Sequence, residues 1–292
     1  MSKRSAARSS ARGAAKAAGG AHLTRQARMG TLGRLFEHLH RHGFQVAGPA
    51  SLRERHVRHY VDERRAQGTA TRTLQNEAAH IRASLRAVGR SQAAESPTLT
   101  NQALGISGSS RAGTKTGATP EQYATALAIA STVDPGLVAI LKLERTLGLR
   151  GAEAVQAGES LSRRERQLEA GQRVTILRGT KGGRRRESEP SDRAAALEAV
   201  REARAVAETR SGRLLDAANL RRAMTWYRNA MHRQIKPGAG ITGHCLRYAY
   251  AADRIRAYVQ DGDTRAEALA HTSVDLGHGD GRGKYVEAVY TK

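Results

Sequence analysis

Apolar residues fall into helical periods along most of the chain. Leu32, Leu35, Phe36 and Leu39 sit at i, i+3, i+4 and i+7, one face of a helix. Gly43, Gly48 and Pro49 interrupt that run, and Ser51 with Glu54 has the S-x-x-E spacing of a capping box. The helix predicted from there carries Leu52, Val57, Tyr60 and Val61 and stops at Gly68. A third places Leu74, Ala78, Ile81 and Leu85 on one side. These runs predict a small helical bundle over residues 21–90.

The next stretch, residues 91–118, is rich in Gly, Ser, Thr and Ala and keeps no period, so it is expected to be an interdomain linker. Thr119-Pro120-Glu121-Gln122 then has the signature of a helix start, with Thr at the N-cap, Pro at the first position and Gln at the third. From 119 to 292 the pattern is again helical, with predicted helices over 191–208 and 220–232. Leu220, Met224, Tyr227 and Met231 are expected on one face of the latter. One segment breaks the pattern. Val174-Thr175-Ile176-Leu177 is β-branched and apolar, and Gly179-Thr180-Lys181-Gly182-Gly183 follows with turn residues, which predicts a β-hairpin. The expected fold is mainly α with a small β-hairpin (α+β), in two domains.

Charge narrows the partner. Lys and Arg number 49 against 27 Asp and Glu, a net +22, which favours a polyanion. In the first bundle Arg53, Arg55, Arg58, Arg64, Arg65, Arg72, Arg82 and Arg86 lie off the apolar faces, so that side is expected to face nucleic acid. Residues 1–20 carry Arg, Lys, Ser and Ala without an acid and are read as a disordered basic tail. Cys245 is the single cysteine, so an intrachain disulfide is excluded and a reducing, cytoplasmic setting fits. No apolar run approaches the ~20 residues of a membrane span, and no membrane partner is expected.

Four short motifs follow one another in the second half. Leu147-Gly148-Leu149-Arg150 ends an apolar helix, with Glu153 three residues on as a buttress for the turn. Lys181 sits at the hairpin tip. His244-Cys245-Leu246-Arg247 puts a His and an Arg on one helix face. Leu276-Gly277-His278-Gly279 precedes Tyr285 and Tyr290. Arg, hairpin Lys, H-x-x-R, L-G-H and Tyr in this order resemble the catalytic series of the tyrosine recombinases, the phage integrase family. Residues 119–292 resemble that family's catalytic domain. The bundle over 21–90 resembles, more loosely, its core-binding domain.

The resemblance implies site-specific cutting and rejoining of double-stranded DNA through a 3′-phosphotyrosyl intermediate, for integration or excision of a mobile element, without metal or other cofactor. It implies a homo-oligomer, a tetramer, on a specific attachment site, with room for accessory DNA-bending proteins. In that scheme Arg150 and Arg247 grip the scissile phosphate with paired charged hydrogen bonds and stabilise the charge of the transition state. A tyrosine hydroxyl, with a pKa of about 10, needs a base, and His244 is the candidate. Lys181 protonates the leaving 5′ oxygen, and His278 bonds the phosphate and fixes the nucleophile.

The chain departs from the family's pattern in three places. Tyr248 and Ala249 stand where the family commonly has a His and a small hydroxyl residue. Tyr285 and Tyr290 lie seven and twelve residues after His278, neither at the usual spacing, and residues 279–283 read as a short insertion. Tyr290, in the pair Val289-Tyr290, is the preferred nucleophile over Tyr285. The chain ends at Lys292 without the further helix by which many relatives dock on a neighbouring subunit, so subunits are expected to couple through another element. Two other readings stay open: a metal-dependent nuclease using His271, Asp275, His278 and Asp280, and a DNA-binding relative without catalysis.

Overall fold

The computed structural model describes residues 3–109 and 116–291, apart from the side chains of residues 3–6 and 8. The chain divides into two compact units, residues 1–110 and 111–292.

The first unit is helical: α1 (Lys3–Ala17), α2 (His22–Arg41), α3 (Glu54–Ala66), α4 (Thr71–Ala87) and the short α5 (Ser91–Ala94). The expected apolar faces form its core, with Leu32, Leu35, Phe36, Leu39, Val57, Tyr60, Val61, Leu74, Ile81 and Leu85 all buried. The carboxylate of Glu77 on α4 is buried in this core and receives Arg34 at 2.8 Å, Arg64 at 3.3 Å and the Tyr60 hydroxyl at 3.0 Å, tying α2, α3 and α4 together.

Several expectations fail here. The basic stretch expected to be a disordered tail is α1 over most of its length. Ala7, Ala11 and Ala15 join the core, and side chains this small let α1 lie close to α2 and α4. Arg28 on α2, itself buried, donates to the carbonyls of Ala15 and Gly19 at 3.0 Å each, satisfying the end of α1. Ser51 does not cap α3. It lies in a single 3₁₀ turn, and the N-cap is Arg53. Part of the expected linker also packs on this unit, with Ala94, Leu99, Leu104 and Ile106 buried, while residues 110–115 lie outside the described residues. Not every arginine of the bundle is left facing solvent. Arg64 serves Glu77, and Arg82 donates to the carbonyl of Leu99 at 2.7 Å.

The second unit contains α6 (Pro120–Val133), α7 (Pro135–Leu147), α8 (Gly151–Val155), α9 (Leu161–Glu169), the hairpin β1 (Val174–Ile176) and β2 (Arg186–Ser188), α10 (Arg193–Glu208), α11 (Leu220–Ala230), a π turn at Met231–Ile235, α12 (Lys236–Ala239), α13 (Gly243–Gln260), α14 (Arg265–Asp275) and α15 (Gly283–Tyr290). The Thr119 capping box forms as expected, with Thr119 accepting from the Gln122 amide at 3.2 Å. The antiparallel hairpin pairs Val174 with Ser188 and Ile176 with Arg186, which leaves Lys181 in the connection. The predicted face of α11 is only half right. Tyr227 and Met231 are buried, but Leu220 is 47% exposed and small Ala223 and Ala230 take the inner positions.

Helix α7 is apolar on most sides and packs against α6, α8, α10 and α13, which makes it the axis of this unit. Asp134 caps it, accepting from the Gly136 amide at 2.6 Å, and Gly148 ends it in the left-handed conformation at φ 57°. A Cβ at Gly148 would run into the Tyr250 ring, so the position needs glycine for space as well as for its backbone angle. Among the described residues no helix is long and apolar enough to cross a membrane.

Glu144 is fully buried on α7, and burial pushes its carboxyl up to about 8, against the pull of the Tyr227 hydroxyl, which donates to it at 2.6 Å, and of Arg247. A carboxyl raised above its free value of 4.5 in the folded state contributes its full stability below that value and loses it as the pH rises through 8. Glu144→Gln keeps the acceptor for Tyr227 and cannot ionise. Unfolding free energies from urea titrations between pH 5 and 9 are expected to fall more steeply for the natural chain than for this variant. The extra slope should reach about 1.4 kcal/mol for each step of one in pH. Parallel curves would refute the assignment.

Candidate active site

The left-handed end of α7 delivers Leu149, buried, and then Arg150, which serves as the N-cap of α8. Glu153, one turn later and fully buried, accepts from the Arg150 backbone amide at 2.8 Å and from its guanidinium at 2.7 Å. The guanidinium also donates to the carbonyl of Leu276 at 3.1 Å, so it already touches the L-G-H turn 126 residues away. The buttressing role expected for Glu153 agrees with these contacts.

Arg247 comes from the first turns of α13 and is 1% exposed. Its two terminal nitrogens donate to the carbonyls of Gly148 and Leu276. Two arginines thus share the Leu276 oxygen. Burial and then the nearby cations Arg186 and Arg150 bring the Arg247 guanidinium down to about 10, against the opposing pull of Tyr290 and Glu153. It stays charged at neutral pH. The starts of α8 and α13 rest on the Tyr227–Glu144 pair. A Cβ on Gly151 would lie 2.6 Å from the Tyr227 ring, and one on Gly243 would lie 2.7 Å from a Glu144 oxygen.

The L-G-H turn follows α14. Gly277 and Gly279 both have positive φ, which lets the chain reverse around His278. His278 Nε2 lies 3.1 Å from the Tyr290 hydroxyl, and the His278 ring meets Tyr285 edge-on at 5.1 Å between centroids. Helix α15 buries Val286, Val289 and Tyr290 together, and Tyr290 packs on Tyr248 with ring centroids 4.5 Å apart. Tyr248, the residue that departs from the family pattern after H-x-x-R, is therefore the platform for the candidate nucleophile.

A cleft of about 810 Å³ opens over these groups, with Arg150, Lys181, Arg184, Arg185, His278 and Tyr285 in its wall. Lys181 is exposed there, on the hairpin connection. Tyr290, 7% exposed, sits behind His278. His244 is exposed on the first turn of α13, one turn before Arg247. Arg150, Arg247, His278 and Tyr290 are thus drawn together by direct contacts or a shared carbonyl, and Lys181 faces the same cleft. The proposed nuclease ligands do not converge. His271 pairs with Asp263 at 2.7 Å, and Asp275 is buried against Tyr258, Arg173 and Arg254. Among the described residues no group of His, Cys, Asp or Glu is placed to hold a metal ion.

Sequence reasoning passes over Arg186, which reads as one of three arginines after the hairpin tip. Arg184 and Arg185 are exposed, but Arg186 is 8% exposed and reaches Glu153 at 2.6 Å. Its pairing with Ile176 turns its side chain inward.

Two family models match the chain, one described as Integrase over residues 105–253 and one described as Phage integrase, N-terminal, over residues 6–94. The first covers more than half of the chain, and the chain belongs to the integrase family, the tyrosine-type site-specific DNA recombinases. Among solved structures, a lambda integrase tetramer bound to a Holliday junction is similar with a TM-score of 0.59 at 14% identity, covering 94% of this chain and 74% of that one. That likeness speaks for the fold. XerA recombinase, at 13% identity and a TM-score of 0.39, covers 94% of this chain and 88% of its own. No curated protein matches in sequence.

His278 is held at about 3, first by burial and then by Arg247, Arg150, Lys181 and Arg186. Because this lies below the free value of 6.5, its contribution to stability is complete above 6.5 and is lost as the pH falls toward 3. In an NMR titration of the DNA-free protein, the His278 ring is expected to show no midpoint between pH 5 and 7.5. A midpoint near 6.5 would contradict the cationic setting described above.

Proposed function

We propose that this chain cuts duplex DNA at a specific attachment site by attack of the Tyr290 oxygen on the scissile phosphorus. The bond to the 5′ oxygen breaks, and a 3′-phosphotyrosyl link forms. The observation that carries this reading is the contact of His278 Nε2 with the Tyr290 hydroxyl at 3.1 Å, beside two arginines joined through one carbonyl. A neutral His278 accepts the hydrogen bond of the Tyr290 hydroxyl and fixes the nucleophile. His244, on the first turn of α13 one turn before Arg247, stays the candidate base that takes the tyrosine proton. Arg150 and Arg247 hold the non-bridging oxygens, and Lys181 on the exposed hairpin connection protonates the leaving 5′ oxygen.

Rejoining reverses these steps with a new 5′ hydroxyl, which in a pair of sites exchanges strands. We further propose a tetramer on DNA in the cytoplasm, assisted by accessory DNA-bending proteins, that integrates or excises a mobile element. Tyr285, in the cleft wall against His278, is the second candidate nucleophile, favoured by its greater exposure.

Trapping on a nicked duplex and mapping the modified peptide tests the reading. Tyr290→Phe is expected to bind DNA and form no adduct, while Tyr285→Phe still forms one. DNA attached to Tyr285, or an adduct in Tyr290→Phe, would exchange the two assignments. An unmodified chain under all conditions would remove the chemistry.

Arg150→Ala is expected to leave DNA affinity within a few-fold and to slow cleavage by about 3–4 kcal/mol, as for loss of one transition-state donor. Cleavage at the natural rate by folded Arg150→Ala protein would show that this guanidinium does not act on the phosphate. Lys181→Ala is expected to regain activity on a substrate whose 5′ leaving group is a thiol, which needs no proton. An equal defect on both substrates would assign Lys181 to DNA binding instead.

A further inference from the structure

We propose that Arg186 is a positioning residue that sets the separation of the two phosphate-gripping segments and the orientation of His278. The inference rests on the recombinase reading for its catalytic consequence, but its geometry is independent of that reading. Arg186 sits at the base of the hairpin that carries Lys181, paired with Ile176. Its planar fork contacts three other segments. Nε and Nη2 donate to the two oxygens of Glu153 at 3.2 and 2.6 Å, and Glu153 in turn holds Arg150. Nη2 also donates to the carbonyl of Gly148 at 3.2 Å, which Arg247 shares. Nη1 donates to the carbonyl of Asp275, two residues before Gly277 of the L-G-H turn.

The other two arginines reach fewer of these segments. Arg150 meets the L-G-H turn at Leu276, and the terminal nitrogens of Arg247 end on the carbonyls of Gly148 and Leu276. Arg186 adds the link to the hairpin. Gly277 fits the same picture. Its φ is 66°, and a Cβ there would fall 2.5 Å from the Arg186 side chain, so the turn is laid directly on the guanidinium stem. All three Arg186 nitrogens are engaged by protein oxygens, two of them by the Glu153 carboxylate, so the fork serves the protein frame although its side chain also reaches the cleft wall.

A rigid fork matters because the acceptors lie in different directions. Lysine supplies the charge but only a point donor on a flexible stem, and cannot bridge them together. Arg186 also supplies positive charge close to His278, Arg247 and Arg164, and lowers the proton affinity of each. Of these, Arg247 and His278 are proposed to act at the phosphate and the tyrosine, and Arg186 acts on them through position and charge.

The test uses the full chain with Arg186→Lys and Arg186→Met. Saturating nicked duplex gives the single-turnover cleavage rate over pH 5.5–9, salt titration gives the DNA affinity separately, and NMR follows the His278 ring in the DNA-free protein. Arg186→Lys is expected to bind DNA within about threefold of the natural chain and to cleave about 100-fold more slowly, the cost of displacing reacting groups by about 1 Å. Its pH profile should stay in place because the charge is kept. Arg186→Met is expected to move the His278 midpoint upward and to shift the acid limb of cleavage with it.

Cleavage by Arg186→Lys at the natural rate would overturn the proposal. So would losses of affinity and rate in equal proportion, which mark a general structural defect. If Arg186→Met does not fold, Arg186→Lys alone still decides. Should the natural chain form no adduct at all, the recombinase reading fails, and the His278 titration judges the placement of Arg186 by itself: an unmoved midpoint in Arg186→Met rejects it.

Discussion

Three guanidiniums, those of Arg164, Arg186 and Arg247, lie at or below 8% exposure in the field of a single buried carboxylate, Glu153, which pairs directly with Arg186. Removing such groups from water is costly unless their donors find oxygens and the charges are partly compensated. Burial alone would raise the Glu153 carboxyl, yet Arg186, Arg247 and Arg150 outweigh it and hold it at about 2. One carboxylate cannot serve all these cations. Further donors of Arg186 and Arg247 end on backbone carbonyls at Gly148, Asp275 and Leu276. The positive charge that remains in excess is held in place by these oxygens.

Much of the second unit can be understood as the delivery of those oxygens. Helix α7 must end where Gly148 can turn left-handed under Tyr250, and α14 must end where Asp275 is held by Tyr258, Arg173 and Arg254. The hairpin brings Arg186 between the two ends. The Tyr227–Glu144 pair fills the space beneath Gly151 and Gly243, where only glycine fits, and so sets how closely α8 and α13 approach. Dispersion and burial build the frame, while a handful of polar contacts set its register.

The order Arg150, Lys181, Arg247, His278 and Tyr290 is legible in the sequence because each lies in a short motif with its own turn residues. Their convergence is not, since it depends on contacts such as Arg150 to Leu276 that cross 126 residues. Arg186 hides in a run of like charges, although the period of a strand separates it from Arg185. Helix α1 escapes a compositional reading because its residues match those of a disordered segment. Its Ala7, Ala11 and Ala15 repeat every fourth residue, the signal that an alanine face can pack, and Arg28 then closes its end from another helix. The linker expected from residue 91 onward is too long for a related reason: Leu99, Leu104 and Ile106 are too sparse to show a period, yet each is buried.

The oxygens that hold the arginines of the site belong largely to the main chain. Replacing the side chain of Leu276 or Asp275 disturbs buried packing or ion pairs but leaves the carbonyl in place, so a scan of substitutions reads the side chains and not these acceptors. Their vulnerability is to length. Inserting or deleting one residue in 148–150 or 275–278 rotates the carbonyls away and exchanges which residues face the guanidiniums. The two turns are therefore constrained in residue count as well as in residue identity. Natural variation in this protein should show intolerance of any gap in either turn, a constraint that a record of point substitutions alone would not reveal.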